Sequence, residues 1–134
     1  MTEAEKILNH YKNFRKELDN ICVPEILKCV STTPIYCDKK QVGIFCYAIQ
    51  PKHIYIDCLY VEPDYRRKGL ARKTVLDFYN NTMYGEIRLH IINENKVAYD
   101  FWSSIFELEP IESNSVDTLY KIKEMTERGR QWAN

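Results

Sequence analysis

Glycine is scarce in this chain: four residues in 134, with five prolines. Neither is clustered, so no linker, internal repeat or low-complexity segment is expected. No apolar run approaches the length needed to span a bilayer. Charge of either sign is not in excess, with 19 Lys and Arg against 19 Asp and Glu. A chain without a net field is not drawn to nucleic acid or to an anionic membrane surface. Cysteine is present but unpatterned. Cys22, Cys29, Cys37, Cys46 and Cys58 contain no C-x-x-C pair, and their odd number argues against a disulfide framework, so they read as reduced core residues. His10, His53 and His90 show no ligand spacing, and no metal site is expected. Met1 to Lys6 is polar and acidic, unlike a signal peptide, which makes a cytoplasmic location the expectation.

What is present is an ordinary globular composition, 45% hydrophobic and 28% charged, of a length that predicts one domain. Thr2-x-x-Glu5 has capping-box form, and Ala4, Ile7, Leu8, Tyr11, Phe14 and Leu18 follow at helical spacing, predicting a helix from 3 to about 19. Pro24 leads into a second, short helix over Glu25 to Val30. Ile35 to Cys37, Val42 to Ile49 and His53 to Val61 read as an antiparallel meander of three strands. The third is apolar on both faces apart from Asp57, as a strand covered on both sides would be. A helix from Gly69 to about Asn80, a strand from Glu86 to Ile92, a helix carrying Val97, Ala98, Phe101, Trp102 and Ile105, and a strand from Val116 to Lys123 complete the order. Pro110 is read as ending any continuation. The class is therefore α/β with a mixed sheet, a single domain over 1–123 and a polar tail over 124–134 that is frayed or used in a contact.

The informative stretch runs from Leu59 through Val61-Glu62-Pro63-Asp64-Tyr65 into Arg66-Arg67-Lys68-Gly69-Leu70-Ala71-Arg72. It joins a strand to a helix start, where unpartnered backbone N–H groups and the helix dipole favour an anion. Gly69 and the small Ala71 leave the approach open, and four basic side chains surround it. One glycine in a basic turn also fits a merely solvated helix start.

The pattern is more than one glycine. Arg66-x-x-Gly69-x-Ala71 resembles the acyl-CoA signature, Q/R-x-x-G-x-G/A, of the GCN5-related N-acetyltransferases, and Val61-x-Pro63-x-Tyr65 is similar to the same family. Asn95-x-x-Ala98-x-x-Phe101-Trp102 stands where that family has its N-x-x-A-x-x-[LF]-Y helix. Together these motifs cover about residues 54 to 106. The resemblance implies the three-layer acyl-CoA N-acyltransferase-like fold, here without the usual first strand, whose uncovered sheet edge a helix or a partner chain would cover, as in a homodimer. It implies acetyl-CoA as cosubstrate, no metal, and transfer of the acetyl group to a primary amine of a small molecule or protein by direct attack. The cofactor would lie against Arg66, Arg67, Lys68, Gly69, Leu70, Ala71 and Arg72, with its pantetheine arm on the backbone of Leu59, Tyr60 and Val61. Asn95 is either a helix N-cap or a hydrogen-bond partner of that arm.

Three residues are candidates for the chemistry. Asp57, in an apolar strand, would be paired or have a raised pKa, as a general base requires, or else be bonded to backbone at a bulge. Glu62, at the strand end, reads as solvated, and Tyr55, on the face of Asp57, as pocket lining. Trp102 occupies the position of the family's proton-donating tyrosine, and an indole N–H can donate a hydrogen bond without protonating a thiolate. Tyr99, three residues earlier, is the candidate surrogate acid, or a surface aromatic with Trp102 in the core. Against the enzyme stand a catalytically weak acyl-CoA-binding or interaction module on the same fold, and a partner-binding protein with an incidental basic turn.

Overall fold

The hairpin that opens the described sheet is set by two residues. Asp38 and Lys39 both adopt left-handed backbone, φ 51° and 69°, the geometry that lets a two-residue turn match the twist of its flanking strands. In this computed structural model residues 2–9, 30–82 and 85–133 are described. The predicted continuation of the first helix beyond residue 9, the second helix up to Cys29 and the bend between them lie outside those residues, as do His10, Cys22 and Cys29.

The described elements are α1 (3–9), β1 (Val30–Cys37), β2 (Lys40–Ile49), β3 (Ile54–Val61), a 3-10 turn (Pro63–Tyr65), α2 (Leu70–Asn81), β4 (Ile87–Ile92), α3 (Lys96–Ile105), β5 (Phe106–Ser113), β6 (Asp117–Met125) and α4 (Glu127–Ala133). Val30 opens a strand, paired with Ala48, and does not end a helix. The chain forms two compact units, Met1–Pro51 with Ile56–Met83, and Lys52–Tyr55 with Tyr84–Asn134.

In the first unit β1, β2 and β3 are neighbours in that order. β1 and β2 are antiparallel, with a register shift between Ile35 and Tyr36. The strand covered on both faces is β2, where Val42 through Cys46 are buried. On one face Ile44 and Cys46 meet Leu8 of α1; on the other, Phe45 and Tyr47 pack on Phe78 of α2, ring centroids 5.1 Å and 4.8 Å away. This corrects the expectation for β3, whose Asp57 is exposed. The capping box forms as predicted: Glu5 N–H donates to Thr2 Oγ1 at 3.2 Å and Thr2 N–H to Glu5 Oε2 at 3.0 Å. Glu62 is not a solvated strand end either. Its carboxylate accepts the Ala4 N–H at 2.7 Å, so it partners one of the orphan amides in the first turn of α1.

In the second unit β6 lies between β4 and β5, antiparallel to both. Ile87, Leu89 and Ile91 alternate inward along β4, and Trp102, Ile105 and Phe106 are buried where α3 passes directly into β5. β5 was not predicted, because Pro110 reads as a terminator. It is tolerated on this outer strand beside a register shift between Pro110 and Glu112, where a ladder donor is not needed. Residues 127–133 form α4 rather than a frayed tail. Thr126 ties it down, its N–H donating to the Ile105 carbonyl at 2.8 Å and its hydroxyl accepting from Gly129 N–H at 3.0 Å. Gly129 is buried, and a Cβ there would collide with the Ile105 carbonyl oxygen, so only glycine fits.

Candidate active site

Beyond Val61 the chain turns through Pro63–Tyr65, closed by Tyr65 N–H to the Glu62 carbonyl at 2.9 Å and Arg66 N–H to the Pro63 carbonyl at 3.3 Å. Arg66 folds back, Nε donating to the Val61 carbonyl at 2.7 Å with the guanidinium 5.5 Å from the Tyr60 ring. Arg67 and Gly69 then take positive φ, 64° and 80°. A glycine reaches that region without steric cost, and an arginine does not, so the turn is bent tightly at two points. Gly69 is the N-cap of α2, and no side chain caps that end. The first helical bond is Lys73 N–H to the Gly69 carbonyl, 2.9 Å. Among the described residues a Cβ on Gly69 would meet only the Arg72 guanidinium within 4 Å. The helix start is thus uncapped by side chains and sterically open, with Arg67 and Lys68 exposed beside it. That combination suits a phosphate group.

Tyr65 organises the positive flank. Lys68 Nζ lies 5.2 Å and Lys40 Nζ 5.6 Å from its ring centroid, a cation–π arrangement. Lys40 was not foreseen, since Asp38-Lys39-Lys40 reads only as a turn between strands. Tyr60 donates its phenol proton to Glu62 at 3.3 Å; burial first, and the Glu62 charge next, push its pKa up. Tyr60 is therefore a neutral donor at ordinary pH. Asp57 is exposed, so the burial on which its expected role as a base rested is not found.

The second unit holds the other candidates. Asn95 is the N-cap of α3, its Oδ1 accepting from Ala98 N–H at 3.0 Å, so the capping role is the one formed. Trp102 is buried, stacked on Phe106 at 6.4 Å and edge-on to Phe101 at 5.3 Å. It is a core residue. Tyr99 is 43% exposed with its ring 6.0 Å from Tyr120. A pair that sequence reasoning missed is Tyr55 and His90, whose Oη and Nδ1 are 2.7 Å apart with rings at 68°. Ile54 N–H donates to the Glu86 carbonyl at 3.0 Å, bringing the start of β3 beside β4. The two residues are 35 positions apart, and nothing in their local sequence links them. An imidazole held by a phenol in this way is oriented for proton transfer.

The Acetyltransferase (GNAT) family model matches residues 5–106. The chain belongs to that family. It is accordingly an acetyl-CoA-dependent N-acetyltransferase, with the mixed α/β architecture that the motifs implied. Among solved structures it is similar to the PaiA N-acetyltransferase of Thermoplasma acidophilum in complex with coenzyme A, at 20% identity and TM-score 0.64, covering 89% of this chain and 70% of that one. A GNAT acetyltransferase of Elizabethkingia anophelis with acetyl-CoA bound matches at 15% identity and TM-score 0.59, covering 81% and 82%. Naa50 of Arabidopsis thaliana, in complex with the bisubstrate analogue CoA-Ac-MVNAL, matches at 22% identity and TM-score 0.53, covering 67% and 70%. No curated protein sequence matches the chain. Among the described residues no group of side chains is arranged to hold a metal ion, and no helix is long and apolar enough to cross a membrane.

Proposed function

We propose that this GNAT acetyltransferase seats the pyrophosphate of acetyl-CoA at the start of α2 and transfers the acetyl group to a primary amine. The observation that carries the reading is the uncapped helix start, opened by left-handed Gly69 and flanked by Arg67, Lys68 and Arg72. Lys40 and Lys68 add positive charge around Tyr65. Leu59, Tyr60 and Val61 would offer backbone to the pantetheine arm, with Leu70 and Ala71 amides on the phosphates. The amine attacks the thioester carbonyl, a C–N bond forms, the C–S bond breaks, and CoA leaves as the thiol.

Two protons must move. The base takes one from the acceptor's ammonium so that the neutral amine can attack, and the Tyr55–His90 pair is the better-built candidate, because its imidazole is oriented by a 2.7 Å hydrogen bond. Asp57 is the second candidate, acting from an exposed position. The acid gives a proton to sulfur, and we assign Tyr99, an exposed residue whose hydroxyl can do what the buried indole of Trp102 cannot. Asn95, already capping α3, would meet the cofactor arm through its remaining polar atoms. The free thiols Cys37, Cys46 and Cys58 suit a reducing cytoplasm.

The test is release of free CoA with a panel of amines, including polyamines, lysine peptides and a peptide beginning Met-Val-Asn-Ala-Leu, since a neighbouring fold carries an analogue of that peptide. His90→Gln is expected to lower kcat by about 10²- to 10⁴-fold and Tyr99→Phe by at least about tenfold, each with acetyl-CoA affinity intact. Wild-type turnover in His90→Gln and loss of the acid-side limb of the pH–rate profile in Asp57→Asn would transfer the role to Asp57. Binding of acetyl-CoA without turnover on any amine would leave a binding module; absence of binding would remove both readings.

A further inference from the structure

Cys46 and Cys58 stand on adjacent strands of the first unit. Only residues 50–53 join β2 to β3, too few for a crossover, so the two strands are antiparallel. Their register is fixed at the far end, where Glu62 N–H donates to the Val42 carbonyl at 2.7 Å. Stepping inward from that bond sets Ile44 opposite Tyr60 and Cys46 opposite Cys58. The packing agrees, for these four residues share one cluster with Ile7 and Leu8 of α1. Directly opposed residues on antiparallel strands have Cα atoms about 4.5–5.5 Å apart, inside the span of about 4.4–6.8 Å that a disulfide bridges. The pair is also asymmetric: Cys46 is fully buried and Cys58 partly exposed. The neighbouring Cys46 thiol favours the thiolate of Cys58, against burial and Asp57, while Cys58 and burial push the Cys46 thiol up. A solvent-reachable thiol with a second thiol held beside it is the arrangement of an attacking and a resolving cysteine.

We infer that Cys46 and Cys58 form a redox-active dithiol that closes to an intrachain disulfide, with a hydroperoxide as the oxidant. The Cys58 thiolate attacks one peroxide oxygen; an S–O bond forms, the O–O bond breaks, and hydroxide leaves, giving a sulfenic acid. The Cys46 sulfur then attacks the Cys58 sulfur. The S–S bond forms, the S–O bond breaks, and water leaves with the Cys46 proton. Two electrons pass from the two sulfurs to one peroxide, and a dithiol reductant reverses the change. The bridge would lock β2 to β3 under α1, three residues before the end of the strand that leads to the phosphate turn.

The chain is suited to a direct test. Cleavage after Lys40, Lys52 and Arg66 separates residues 41–52 from 53–66, and each peptide carries one cysteine. Reduced native protein is treated with stoichiometric hydrogen peroxide, quenched with catalase, alkylated with N-ethylmaleimide and digested. The expected product is the linked pair 41–52 with 53–66, lighter by two hydrogen atoms than the separate peptides and resolved by dithiothreitol. In Cys46→Ser, dimedone should trap the Cys58 sulfenic acid and no linked pair should appear. The mapping of the wild type stands even if that variant fails to fold. Full alkylation of both cysteines after peroxide, or oxidation of Cys37 ahead of them, would overturn the inference.

Discussion

At the scale of single residues, Gly69 decides whether the helix start is available. Its φ of 80° suits glycine, and a methyl group there would stand 3.3 Å from the Arg72 guanidinium. Left-handed backbone costs an L-residue about 1–2 kcal/mol, so Gly69→Ala should lower stability by that amount, measured from urea midpoints, and weaken acetyl-CoA binding by crowding the approach. An unchanged midpoint would mean that the turn relaxes into another conformation. Glu86 offers a test of a different kind. Its carboxylate pairs with the Arg88 guanidinium and with Lys121 Nζ at 3.3 Å, and the hydrogen bond from Arg88, ahead of that from Lys121, holds its pKa below the usual carboxylate range. A depressed folded pKa stabilises above the unfolded value, and that stability is lost as the pH falls through the folded value. Glu86→Gln should therefore flatten the loss of stability on the acid side of the usual carboxylate range, in urea midpoints taken at a series of pH values. Parallel curves for the two proteins would contradict the assignment.

At the scale of elements, α1 and α4 are held by contacts distant in sequence. α1 is anchored by Glu62, 58 positions away from the Ala4 N–H it accepts. A hydrogen bond to a charged group is worth about 1.5–3 kcal/mol, so Glu62→Ala should cost about that much and raise the hydrogen-exchange rate of the Ala4 amide selectively. A uniform rise over the whole chain would indicate global destabilisation instead. α4 depends on close approach. In Gly129→Ala the added methyl would collide with the Ile105 carbonyl oxygen, and overpacking of this kind costs about 1–3 kcal/mol. The loss should be visible in the thermal midpoint, together with faster proteolysis after Arg128 or Arg130. With seven residues α4 is too short to persist alone, so it rests on its tertiary contacts.

At the scale of the whole molecule, binding is the accessible readout. Acetyl-CoA at roughly 100 times its Kd should stabilise the fold by about 2.7 kcal/mol, seen as a rise in Tm. Ala71→Glu should abolish that rise by putting bulk and negative charge on the phosphate seat, while leaving the unliganded Tm near that of the wild type. A full ligand-induced shift in that variant would place the phosphates elsewhere. With 19 positive and 19 negative side chains, the molecule offers no net charge to draw the cofactor from a distance, so its affinity rests on the local basic turn.

The sequence by itself determined the order of elements from β2 to β4 and the turn from Arg66 to Arg72, because periodicity, turn chemistry and the glycine constraint are local. It also settled that Trp102 cannot protonate a thiolate, since that follows from the indole alone. β5 was hidden by Pro110, whose acceptability depends on an outer strand having no donor to supply. The burial of Asp57 was misjudged because apolar neighbours in sequence do not say which strand is covered on both sides, and that strand is β2. Only tertiary structure brought Glu62 to α1, His90 to Tyr55 and Cys46 to Cys58. Each of these pairs is made by strand register or helix docking, and no spacing along the chain encodes such a contact.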